Sequence, residues 1–98
     1  MKGIIYTKDI YREIVPKIIQ DEASWSRFLN FSAVHYQMGF ENASLLYAQR
    51  PDAKMVETYA KWREKGRYVR RGSKGIAIID SHGYRPYLDY VFDISDTN

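Results

Sequence analysis

Between positions 61 and 74 the chain reads Lys-Trp-Arg-Glu-Lys-Gly-Arg-Tyr-Val-Arg-Arg-Gly-Ser-Lys. Seven basic side chains (Lys61, Arg63, Lys65, Arg67, Arg70, Arg71 and Lys74) stand there against Glu64 alone. This segment therefore carries +6 of a chain whose total is +3, and the remainder sums to −3. Guanidinium groups suit phosphate because their planar fork bonds it bidentately. Glycines at 66, 72 and 75 let the backbone approach a ligand closely and leave amides free. A neighbouring Tyr ring can stack on an unpaired base, worth roughly 1–3 kcal/mol per base where proteins use it. The same residues also suit an ordinary edge hairpin kept soluble by its positive charge.

Other chemistry is thinner. Gly72-Ser73-Lys74-Gly75 resembles a phosphate loop only in part, since the full Gly-x-x-x-x-Gly-Lys-Ser/Thr spacing is absent. With no Cys there are no disulfides, thiolate metal sites or Cys nucleophiles. The two His fall in no metal-binding spacing: His35 reads as a half-buried packing residue and His82 as an exposed turn residue. Carboxylates are scattered without a paired motif, so no catalytic constellation, metal site or cofactor is expected. Around the Leu45-Leu46 pair, Asn42 and Asp52 read as helix caps, while Gln49 and Arg50 are freer, with Arg50 the better anion contact.

These side chains need a scaffold, and 98 residues supply one domain. The composition is 45% hydrophobic and 15% aromatic, with nine Tyr, each able to pack by one edge and offer a hydroxyl. Apolar runs are too short to span a membrane. Ile10, Ile14 and Ile18 predict a first helix capped by Thr7, with Pro16 kinking or stopping it. Trp25, Phe28, Leu29, Ser32 and Tyr36 form one face of a second helix, capped by Asp21 or Ser24 and ended by Gly39. A third runs from Asn42 to before Pro51. A fourth starts at Asp52, includes Val56, Tyr59 and Trp62, and ends at Gly66. Then Tyr68–Arg70, Ile76–Ile79 and Tyr87–Phe92 read as strands. The expectation is α+β: about four N-terminal helices on a C-terminal antiparallel sheet of about three strands.

The order of these pieces carries a resemblance. Asn42 precedes a Leu-Leu helix, followed by Tyr47-Ala48-Gln49-Arg50-Pro51-Asp52-Ala53, a Trp helix, and Gly66-Arg67-x-Val69-x-x-Gly72-x-x-Gly75-Ile76. This is similar to the N-terminal single-stranded-DNA-binding domain of ArdC-type antirestriction proteins. It looks most like the version that begins large mobilisation and conjugation proteins of bacterial integrative elements. The resemblance runs from Trp25 to Thr97, leaving 1–24 as an N-terminal extension within a single domain, 1–98. Where such proteins usually have Tyr-Ser-x-x-Asn, this chain has Gly39-Phe40-Glu41-Asn42, and only Asn42 matches. The metallopeptidase-like domain of full ArdC proteins has no counterpart in this sequence, so its activity is not carried over. The chain is expected to be part of a longer protein.

The resemblance implies sequence-tolerant binding of single-stranded DNA in a bacterial cytoplasm, without enzyme activity, small-molecule substrate or membrane attachment. On that reading Arg67, Arg70, Arg71 and Lys74 of a basic hairpin meet phosphates, with Lys61, Arg63 and Arg50 at the margin. Tyr68 is the first choice for base stacking, followed by Tyr47 and Tyr36. Other domains of a larger conjugation protein are further expected partners. A rival reading has the basic segment dock an acidic protein, such as a restriction enzyme. A third makes this a domain that merely positions its neighbours.

Overall fold

The computed structural model describes residue 9 and residues 12–82 and 85–98. Helix α1 is helical through 12–18, α2 spans Glu22–Val34, a 3-10 turn covers Tyr36–Met38, and α3 spans Gly39–Gln49. Strand β1 (Val56–Thr58) leads directly into α4 (Tyr59–Glu64), and β2 (Ile76–His82) and β3 (Arg85–Asp93) follow. A second 3-10 turn, Ile94–Asp96, closes the chain. The strands form an antiparallel sheet in the order β1-β3-β2. Helices with a three-stranded antiparallel sheet are the expected α+β arrangement, although β1 comes before α4 in the chain.

Local chemistry explains most of the boundaries. Asp21 caps α2 by accepting from the Ser24 amide at 2.7 Å, and this bond is what holds its own pKa below the ordinary carboxylate value. Helix α1 runs two residues beyond Pro16 before it stops, while the expected cap at Thr7 lies outside the described residues. Helix α3 ends at Gln49, ahead of Pro51, as the pre-proline restriction requires.

The fourth helix is shorter than its periodicity predicts. It is capped by Thr58, whose hydroxyl accepts from Lys61 N at 3.2 Å, and not by Asp52. Val56-Glu57-Thr58 is drawn into the sheet by pairing with Asp93, Phe92 and Val91. Two β-branched residues at alternate positions favour that outcome over helix.

The strand expected at 68–70 is also corrected. It forms no hairpin with 76–79; Val69 instead makes an isolated antiparallel bridge with Thr97. The hairpin of the sheet is β2–β3, in register from Ile76↔Val91 to His82↔Arg85.

Two apolar clusters hold these layers together. Phe31 and Leu46 from the helices meet Ala53, Ile76, Ile78 and Val91 on the sheet side. Ile18, Phe28 and Ala43 tie α1, α2 and α3, and Met38 and Tyr47 pack against both clusters. Burial of a side chain such as Phe28 contributes about 1.5–3 kcal/mol.

The buried stripe of α2 is Phe28, Phe31 and the capping His35, rotated from the expected face. Trp25 and Leu29, expected inside, are 37% and 45% exposed. The rotation follows from His35, whose Nε2 donates to the Ala53 carbonyl at 3.0 Å and whose ring lies 4.5 Å from Phe31. His35 is therefore a packing residue, as expected. Trp62, 1% exposed, is the anchor of α4, and its indole N–H donates to Phe92 O at 2.8 Å. The side chain of His82 lies outside the described residues.

Candidate nucleic-acid interface

The basic segment leaves α4 through Gly66, whose φ of +80° is a left-handed conformation that suits glycine. It turns again at Gly72, φ +88°. Between these turns the chain lies against the C-terminal residues. Tyr68 N donates to Asn98 O at 3.1 Å, Asn98 N to Tyr68 O at 2.8 Å, and Arg70 N to Asp96 O at 2.8 Å. The expected basic hairpin is thus a basic loop, 65–75, held flat by a short ladder to 96–98. Its partner is the end of the chain: β3 takes one edge of β2, and the Asn42 and Gln49 side chains bond the backbone of the other at Ile79 and Ala77.

This geometry divides the candidate cations into two sets. Arg67, Arg70 and Arg50 are tethers. Arg67 Nε donates to Thr97 Oγ1 at 2.7 Å, and Arg70 donates to the Ser95 carbonyl. Arg50 pairs with Asp96 at 3.0 Å and Asp52 at 3.2 Å, and donates to Ser95 Oγ at 2.9 Å. The Asp96 hydrogen bond, against the opposing effect of partial burial, raises the Arg50 pKa above its already high ordinary value. Asp52, expected to cap α4, serves this ion pair instead.

The second set points outward. Arg71 and Lys74 are exposed, and among the described residues neither side chain has a hydrogen-bond or ion-pair partner. Arg63 lies over the Tyr68 ring, 5.3 Å from its centroid, a cation–π contact that presents ring and charge together. Tyr68 is 60% exposed. Among the described residues Lys61 meets only Glu64, at 3.8 Å across a solvent-exposed helical turn, a pairing worth little in water.

The aromatic candidates separate as cleanly. Tyr47 is packed edge-on between Phe28 and Phe31, at centroid distances of 5.5 and 5.0 Å, so its ring belongs to the core. Tyr36 is 72% exposed and stands away from the loop, on a groove of about 430 Å³ between the 34–38 turn and residues 54–57. Lys54, Met55 and Val56 line this groove and were not among the expected site residues. The only sequence signal for them is the β-branched pair Val56 and Thr58, which marks an edge strand rather than a helix. Lys65, also outside the expected set, joins the regions: its Nζ reaches Glu57 on the groove at 3.5 Å and covers the Trp62 ring at 5.7 Å.

Among the described residues no group of three His, Asp or Glu side chains is placed to hold a metal ion. No helix among them is long and apolar enough to cross a membrane.

No curated protein and no solved structure matches the chain. A family model does, over residues 6–93, which takes in the described α-helices and all three strands of the sheet. By that match the chain belongs to the family of the N-terminal domain of anti-restriction factor ArdC.

Proposed function

We propose that the chain is a non-enzymatic module that binds single-stranded DNA with little sequence preference. The observation that carries this is the outward set on and beside the 65–75 loop: unpartnered Arg71 and Lys74, with Arg63 stacked on an exposed Tyr68. Phosphates would be met by Arg71, Lys74, Arg63 and Lys61, and a base would stack on the open face of Tyr68. The tethers Arg50, Arg67 and Arg70 hold the loop in shape, and their remaining N–H groups add positive potential. Membership of the anti-restriction family agrees with a nucleic-acid target. A bacterial, mobile-element setting in the cytoplasm, beside other domains of a conjugation protein, completes the reading.

The test is fluorescence anisotropy with a short oligothymidine and the equivalent duplex. With about four phosphates neutralised, log K should fall against log[salt] with a slope of roughly −3 on the single strand. Single strand should be preferred because only it offers free base faces to Tyr68. No binding at micromolar protein and low salt overturns the reading and favours an acidic protein as the partner of the loop.

A further inference from the structure

We propose that the groove between the 34–38 turn and β1 receives one unstacked base of the bound strand, read by the backbone of Val56. This rests on the single-strand reading above and adds a second, separate contact to it. The groove, about 430 Å³, falls within the size range of small-molecule sites. Tyr36 and Met55 stand in it 72% and 41% exposed, an aromatic ring and a polarisable thioether suited to the two faces of a base.

The register of β1 supplies the hydrogen-bonding edge. Val56 lies opposite Asp93, and Ile94 N donates to Met55 O at 2.8 Å. That pattern makes Met55 and Glu57 the positions bonded to β3, so the N–H and C=O of Val56 point to the outer side. β1 is an edge of the sheet, and a neighbouring donor and acceptor on one residue match the donor–acceptor edge of a base.

An added peptide strand would use the same groups. Two observations favour the nucleic acid. β1 is three residues long, a poor template for strand addition. The groove carries Lys54 on its wall, exposed and without an ion-pair partner among the described residues, placed for a phosphate beside an inserted base, while Lys65 at the rim pairs with Glu57 and offsets the carboxylate there.

The experiment compares oligothymidine with an abasic strand of equal length, and follows amide shifts by NMR on adding thymidine alone. The natural chain should bind oligothymidine about tenfold or more tightly than the abasic strand. Tyr36→Ala should lower that ratio about fivefold or more, leaving the part supplied by the Tyr68 stack, while keeping its affinity for the abasic strand and its salt slope, and Tyr36→Phe should keep the ratio. Thymidine should move the Val56 and Tyr36 amides. A Tyr36→Ala variant with the ratio intact, or with equal losses on both strands, overturns the proposal. So does thymidine leaving Val56 unmoved while a short extended peptide moves it, which would make the groove a strand-docking edge. If the natural chain binds neither strand but thymidine still moves these amides, the single-strand reading fails and the groove stands as a nucleobase site.

Discussion

Asn42 meets Ile79 in both directions: its Nδ2 donates to the Ile79 carbonyl at 2.6 Å, and its Oδ1 accepts from the Ile79 amide at 2.8 Å. Gln49, two helical turns along α3, does the same for Ala77 at 2.8 and 3.0 Å. Ala77 and Ile79 are alternate residues on the edge of β2 that β3 leaves open. Two amide side chains thus stand in for a fourth strand and cover an edge that would otherwise invite another chain.

Replacing Asn42 by Leu leaves both backbone groups of Ile79 without partners in a part-buried position. The expected cost is about 1–3 kcal/mol, read as a lower urea midpoint at unchanged slope. Adding Gln49→Leu should uncover the edge and produce concentration-dependent association on size-exclusion chromatography. A double variant as stable and as monomeric as the natural chain would refute the role assigned to α3.

Asp93 is the second buried polar hub, 3% exposed. Its Oδ1 accepts from Lys54 N and Met55 N at 2.8 and 3.1 Å, and its Oδ2 from Ser95 N and Ser95 Oγ at 3.1 and 2.6 Å. Burial opposes its charge, but the Ser95, Lys54 and Met55 bonds outweigh burial and hold its pKa below the ordinary carboxylate value. A depressed folded pKa contributes stability that is present above the unfolded pKa and is lost as pH falls through the folded one. Acid unfolding should therefore draw on Asp93 below about pH 4. Asp93→Ala should cost about 3 kcal/mol at neutral pH and flatten this acid limb. An unchanged pH profile in the variant would remove Asp93 from that account.

The fold was legible where a local rule and the tertiary contacts agree. Asp21 caps a helix, Pro51 stops one, and Trp62 anchors one, each for a reason carried by neighbouring residues. It was illegible where distant partners decide. Val56 fits a helical period with Tyr59 and Trp62, but the pairing with β3 and the Asp93 carboxylate pulls its segment into the sheet. Asn42 has the chemistry of a cap and spends it on a strand that lies 37 residues away in sequence. The candidate site divides in the same way. A run of basic residues announces charge, but only the position of Thr97, Ser95 and Asp96 decides which arginines are tied down.

That division predicts unequal effects within one basic loop. Arg71→Ala and Lys74→Ala remove outward charges, so each should weaken oligothymidine binding and lower the salt slope by about 0.7, with stability unchanged within about 0.5 kcal/mol. Arg67→Ala breaks the bond to Thr97 and should lower stability by about 1 kcal/mol. A larger salt-slope change for Arg67→Ala than for Arg71→Ala would reverse the assignment of tether and contact.

Two of the three tyrosines of the expected stacking set, Tyr47 and Tyr68, should part in the same way. Tyr47 fills the space between Phe28 and Phe31, so Tyr47→Ala opens a cavity shared by both apolar clusters. A loss of about 3 kcal/mol is expected, seen in thermal unfolding and in the near-ultraviolet spectrum. Any loss of DNA binding should then follow the fraction unfolded. Tyr68 is 60% exposed, with Arg63 over one face of its ring. Tyr68→Ala should leave the unfolding midpoint nearly unchanged and weaken oligothymidine binding about fivefold to a hundredfold, the range of one base stack. Tyr68→Phe should retain binding, because the stacking face and not the hydroxyl makes the contact. Loss of binding in Tyr68→Phe equal to that in Tyr68→Ala would shift the role to the hydroxyl and away from stacking.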